Sequence, residues 1–126
     1  GAIPPGVGIS SVLGGDTLLL SNGAVVRLIG VAAPAAGACG DTEATLFLTS
    51  LVLTGGQPVF TQGLITDVDG SGRLLRYLDL GGRDAGLAVI EEGLATAWAE
   101  GSHPREAAYL DGDARSQDSV APSLPL

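Results

Sequence analysis

Asn22-Gly23 lies between two apolar runs, Thr17–Ser21 and Val25–Val31, and constrains the chain more than any other pair of residues. An Asn-Gly step favours the left-handed backbone of a two-residue hairpin turn, so the spacing predicts that the two runs pair antiparallel. The second run, Val-Val-Arg-Leu-Ile-Gly-Val, is apolar on both sides of its pleat apart from Arg27. Its single arginine is expected to point at the mouth or groove of a barrel wall.

The same reading extends along the chain. Ile9–Leu13 is a short strand stopped by Gly14-Gly15. Beyond the loop Ala32–Gly40 the period changes: Ala44, Phe47, Leu48, Leu51 and Val52 recur at helical spacing, with Asp41 or Thr42 as N-cap and Gly55-Gly56 as the stop. Gln57–Gln62 reads as a fourth strand, with Pro58 near its start, where a missing N–H is tolerated. A turn-rich segment, Asp67–Gly72, leads into a fifth strand, Arg73–Leu80. A short helix over Ala85–Glu92 ends at Gly93, and a last helix begins near Pro104 and runs towards Arg115. These elements divide the chain into an N-terminal extension (1–8), one domain (9–116) and a flexible, aperiodic tail (117–126).

A length of 126 residues suits one hydrophobic core. Aromatic residues are only 4% of the chain, so that core has to be built from Leu, Val, Ile and Ala. No apolar run approaches the roughly 20 residues of a membrane span, and no membrane partner is expected. No signal peptide is visible, although one removed earlier would leave no trace. Cys39 is the only cysteine, so no disulfide forms within the chain and the redox compartment stays open. Six arginines, no lysine and fourteen acids give a net charge of −8. Nucleic-acid affinity rests on cationic side chains displacing counterions, so this balance opposes tight DNA or RNA binding unless the arginines converge in one groove. The acidic surface also serves solubility.

Five short motifs then occur in order: Gly15-Asp16-Thr17, Arg27-Leu28-Ile29-Gly30-Val31-x-x-Pro34, Cys39-Gly40, Gly72-Arg73-Leu74-Leu75-x-Tyr77 and Glu92-Gly93-Leu94-Ala95. Together, over roughly Ile9 to Arg115, they resemble the staphylococcal-nuclease-like (thermonuclease) family. The resemblance implies an α+β fold, a five-stranded OB-fold β-barrel with about three flanking helices. It also implies calcium-dependent phosphodiester hydrolysis, which needs a metal, a base for the water and cations for the transition state. Carried over position by position, Asp16 matches the first calcium ligand, and Arg27 and Arg73 match the two phosphate-clamping arginines. The second ligand, an Asp in the family, falls on Ala32. The ligand that acts through its backbone carbonyl falls on Ala33, and the general base, a Glu in the family, falls on Ala35. An acid often found two residues before the first ligand is Gly14 here.

Calcium takes six to eight oxygens, and loss of a general base costs about 10²–10⁴-fold in rate. The expectation is therefore a degenerate member with a vestigial site and no cofactor, acting as a binding or interaction module on a protein or a small anionic ligand. The alternative is a working calcium-dependent phosphodiesterase that cleaves DNA or RNA with Asp41 or Glu43 as substitute acids. The alanines also suit a silenced variant of an active parent. Asp16 and Arg27 are expected to pair with each other, and family resemblance favours a secreted or periplasmic location. Asp67, Asp69, Ser71 and Gly72 copy the first half of a calcium loop, but the closing position holds Leu78, so a tight turn is expected. Cys39 is expected to be a small buried residue and His103 a surface residue. Trp98 and Tyr77 are expected to pack in the core or at the barrel edge.

Overall fold

The computed structural model describes residues 3–4, 6–63, 66–98 and 103–120, with the backbone alone for 117–120. It is a mixed α+β structure of eight strands and three helices among those residues. In chain order the elements are β1 (Ile9–Gly14), β2 (Thr17–Leu20), β3 (Val25–Leu28), β4 (Val31–Ala32) and α1 (Asp41–Thr54). They are followed by β5 (Pro58–Thr61), β6 (Leu74–Leu80), β7 (Arg83–Asp84), α2 (Ala85–Glu91), β8 (Thr96–Ala97) and α3 (Glu106–Val120). The main sheet runs β1-β2-β3-β6-β5, with β7 added to β6, and a separate two-stranded sheet joins β4 to β8. β3 and β6 are parallel, and every other pair is antiparallel. No hydrogen-bonded pair joins β1 to β5 among the described residues, so the sheet is open there.

The predicted hairpin forms with a longer loop than the two-residue turn. Gly23 N–H donates to Leu20 O at 3.0 Å, Leu20 N–H donates to Ala24 O at 2.8 Å, and Gly23 sits at φ 86°. This is a three-residue loop, a type I turn followed by a left-handed glycine, and it ends β2 at Leu20 rather than at Ser21. The Asn22 side chain accepts from Ala24 N–H at 3.0 Å and fixes the turn.

The third strand is broken where the sequence reads as continuous. Ile29 still donates to Arg76 O at 3.1 Å, but Gly30 turns into the left-handed region at φ 76° and the chain leaves the sheet to form β4. A Cβ on Gly30 would lie 2.6 Å from His103 Nε2, so only glycine lets the backbone pass beneath that ring.

The helices follow the period change, with altered caps. α1 begins after Gly40, in the left-handed region, and no side chain caps it. Asp41, expected as a cap, instead accepts from Gly37 N–H at 2.9 Å in the preceding loop. α2 is capped by Asp84, whose Oδ1 accepts from Leu87 N–H at 3.0 Å. α3 starts two residues after Pro104 and continues through Val120, so its last four residues lie in the segment read as tail; residues 121–126 fall outside the described residues.

The core is aliphatic, as composition requires: Leu18, Leu20, Val26, Leu28 and Leu75 from the sheet meet Leu48 and Leu51 of α1 and Val89 and Ile90 of α2. Two tyrosines, Tyr77 and Tyr109, are the largest fully covered side chains. No helix among the described residues is long and apolar enough to cross a membrane.

Candidate functional site

The turn between β1 and β2, the inner residue of β3, the loop after β4 and the entry to β6 converge on a cavity of about 290 Å³. Asp16, Arg27, Asp41 and Arg73 line it together with Ala33, Pro34, Ala35 and Ala36. All three predicted polar positions, Asp16, Arg27 and Arg73, are therefore brought to one place, with Ala35 in the same wall. Ala32 is not among the lining residues. It pairs with Thr96 in the β4–β8 ladder, and its carbonyl accepts from the Thr96 hydroxyl at 3.5 Å.

The Asp16 carboxylate is already engaged. Oδ1 accepts from the Thr17 hydroxyl at 2.8 Å, and Oδ2 accepts from Ala33 N–H at 3.1 Å. Arg27 Nη2 stands 3.9 Å from the same Oδ2 and donates to Val31 O at 3.1 Å. The Arg27 guanidinium also lies 4.4 Å from the centroid of the Trp98 ring, a cation–π contact. Arg27 thus ties the β1–β2 turn, the break after β3 and the β8 end into one joint, and the expected Asp16–Arg27 pair is present. Trp98 is 48% exposed and covers Arg27 from outside rather than filling the core.

Arg73 reaches the cavity differently. Its Nε donates to Asp69 Oδ2 at 2.7 Å, and Asp69 Oδ1 accepts from the backbone N–H groups of Ser71 and Arg73 at 2.9 and 3.0 Å. Burial pushes Asp69 upward, but the backbone donors of Arg73 and Ser71 and the Arg73 guanidinium outweigh it and hold the carboxyl below its ordinary value. The Asp-Gly segment is thus a turn closed by its own backbone, with Asp67 paired to Arg76 at 2.7 Å.

For calcium, which takes six to eight oxygens, the wall supplies two carboxylates among the described residues. Asp16 and Asp41 are the two carboxylates in the wall, and the oxygens of both accept hydrogen bonds from neighbours. Among the described residues no group of three or more His, Cys, Asp or Glu side chains could hold a metal ion. Glu43 is exposed on the first turn of α1 and does not line the cavity.

Three of the four remaining arginines are also taken up by carboxylates. Arg76 pairs with Asp67, Arg105 with Asp79 and Asp84, and Arg115 with Glu91 and Asp111. Only Arg83, among the described residues, makes no ion pair. Of the six arginines, Arg27 and Arg73 are the two that line the cavity, each beside a carboxylate.

A second polar cluster, not singled out by the sequence, holds α3 to the sheet. Arg105 grips Asp79 through both terminal nitrogens at 2.8 and 3.0 Å and reaches Asp84 at 2.9 Å. The Tyr109 hydroxyl donates to Asp84 at 3.0 Å. Tyr77 Oη accepts from Arg105 N–H at 3.1 Å and shares a hydrogen bond with His103 Nδ1. The Asp79 hydrogen bonds, opposed by burial and helped by Asp84, hold Arg105 above its ordinary value. Burial, reinforced by the Asp84 charge, holds Tyr109 well above the ordinary tyrosine range.

His103, expected at the surface, is 7% exposed because it fills the space above Gly30 and between the two tyrosine rings. Tyr77 is core, as expected. Cys39, expected to be buried, is exposed, because the loop before α1 stays on the surface. The signal available in sequence was Asp84 directly before an apolar helical run, a capping pattern. No protein-family model matches the chain, and no curated protein matches it.

Proposed function

We propose that this chain is a staphylococcal-nuclease-like domain whose cavity no longer hydrolyses phosphodiesters and which serves as an interaction module. The strand order, with β3 parallel to β6, supports a five-stranded OB-type barrel left open between β1 and β5 as the finer description of the sheet. One observation carries the functional reading. At the cavity, the single retained ligand position, Asp16, spends its oxygens on Thr17, Ala33 and Arg27, while the partner and base positions are Ala32 and Ala35. The other carboxylate among the described residues of the wall, Asp41, accepts from Gly37 N–H and the Thr45 hydroxyl, so the wall lacks the family's paired acids for holding a cation and priming a water. The pairing of the arginines supports a protein or a small anion as the occupant over a nucleic acid, whose charge a domain of −8 repels.

The experiment compares the protein with an Ala32→Asp/Ala35→Glu double variant on single-stranded DNA and RNA, with and without calcium. The protein itself is expected to leave both substrates intact, and calcium-dependent cleavage by it overturns the proposal. Asp41 in the cavity wall favours the second reading, in which it acts as a substitute acid. That reading requires cleavage by the protein that disappears in Asp41→Asn.

A further inference from the structure

The open side of the sheet faces a slot of about 520 Å³ between β1, β5 and the segment preceding β1. Ile3, Val7, Ile9, Val52, Pro58 and Phe60 are prominent in its wall, and none of the described residues that line it is charged. It shares no lining residue with the Asp16 cavity. In a chain carrying −8, an uncharged recess that offers exposed backbone and Gln57 beside its apolar side chains suits an uncharged occupant able to make hydrogen bonds.

The direction of the backbone groups narrows the occupant further. Gly81 N–H donates to Gln57 O, so in the alternating antiparallel pattern Val59 and Thr61 bond to β6 while Pro58 and Phe60 turn their backbone groups away from it. Ile29 N–H donating to Arg76 O agrees, since it places the alternate residues of β6 towards β3. On the other wall Ser21 N–H donates to Gly8 O, and Leu20, the partner of Ile9, bonds away from β1 to Ala24. The backbone of Ile9 therefore faces outward from the sheet. Pro58 fits this arrangement, because its missing N–H lies on the open edge where β6 does not need it.

We propose that this slot receives an uncharged, extended peptide segment of a partner protein, which adds as a strand between β1 and β5. Phe60 N–H and C=O, the Pro58 carbonyl and the Ile9 backbone supply its hydrogen bonds, and the apolar wall receives alternate side chains. A strand occupies roughly 160 Å³ per residue from its spacing and rise, so a slot of about 520 Å³ holds about three residues. An apolar small molecule or a helix would cover the two open backbone edges without pairing with them, whereas a strand replaces their water with hydrogen bonds.

The test titrates the intact, ¹⁵N-labelled protein with the capped peptide acetyl-Ser-Val-Thr-Val-Ser-amide and follows amide shifts. Two controls accompany it: the same peptide N-methylated at alternate residues, and acetyl-Ser-Glu-Thr-Glu-Ser-amide. The expected result is saturable shifts centred on Ile9 and Phe60, with binding weakened tenfold or more by N-methylation and by the acidic side chains. Equal binding of the N-methylated peptide overturns the strand, leaving a slot for apolar side chains alone. Shifts centred elsewhere, or no binding at millimolar peptide, also overturn the proposal. So does concentration-dependent shifting of the same amides without peptide, which would make a second copy the occupant. The titration and the cleavage assay fail independently, because the two sites are separate.

Discussion

Around Asp16 one carboxylate is shared by a hydroxyl, a backbone N–H and one arginine, and alanine and proline make up much of the remaining wall. Around Asp84 a carboxylate of similar burial caps α2, accepts from Tyr109 and pairs with an arginine that also grips Asp79. The residue types are the same, but the density of partners differs. In the second region each polar group is held by others from separate elements, so the cluster docks α3 and α2 on the sheet. In the first, Arg27 and Asp16 link the segments, and Asp41 is the other acid among the described residues of the wall. The denser hydrogen-bond network of the two is the one that fixes helices, and the Asp16 cavity is the more sparsely bonded.

The contrast is open to attack by mutation. The largest effect is expected for Asp84→Ala, which removes a helix cap, worth about 1 kcal/mol, and strips partners from Arg105 and Tyr109. The expected total is about 3 kcal/mol in urea unfolding. Arg27→Ala is expected to cost about 2 kcal/mol, because it unpairs Asp16 and removes the cation from Trp98. A red-shifted Trp98 emission should accompany it. An Arg27→Ala loss equal to or greater than that of Asp84→Ala would erase the distinction between the two regions.

A finer probe is pH. The Tyr109 hydroxyl titrates above its ordinary value of 10.0 in the folded state. A raised folded value means that its stabilising contribution is whole below pH 10.0 and is lost as pH climbs beyond it. The protein should lose up to about 1.4 kcal/mol per pH unit from this group above that point. Tyr109→Phe should be less stable at neutral pH but show a flatter decline between pH 10 and 12 in the same urea measurements. An unchanged slope would remove Tyr109 from the coupled cluster.

Sequence pattern reached the local elements well. The Asn22-Gly23 step gave the hairpin, and the helical spacing of Ala44, Leu48 and Leu51 gave α1 with those residues buried. Arg27 was legible as a charged residue in a buried strand that needs a partner, and Asp16 was legible as that partner. The break at Gly30 was not legible, since its cause is a ring arriving from more than seventy residues away. For the same reason His103 read as a surface residue: its neighbours Pro104 and Arg105 give no sign that Tyr77 and Tyr109 enclose it.

By itself, then, the sequence determined an aliphatic core, an antiparallel opening, the helices and an acidic surface, because these depend on periodicity, turn chemistry and composition within short windows. Tertiary structure alone decided that the sheet stays open between β1 and β5, that Arg105 joins two distant aspartates, and that Asp41 enters the cavity wall while Cys39 stays exposed. Those outcomes depend on which surfaces meet after the chain has folded back on itself, and no local pattern encodes a contact whose two halves are dozens of residues apart.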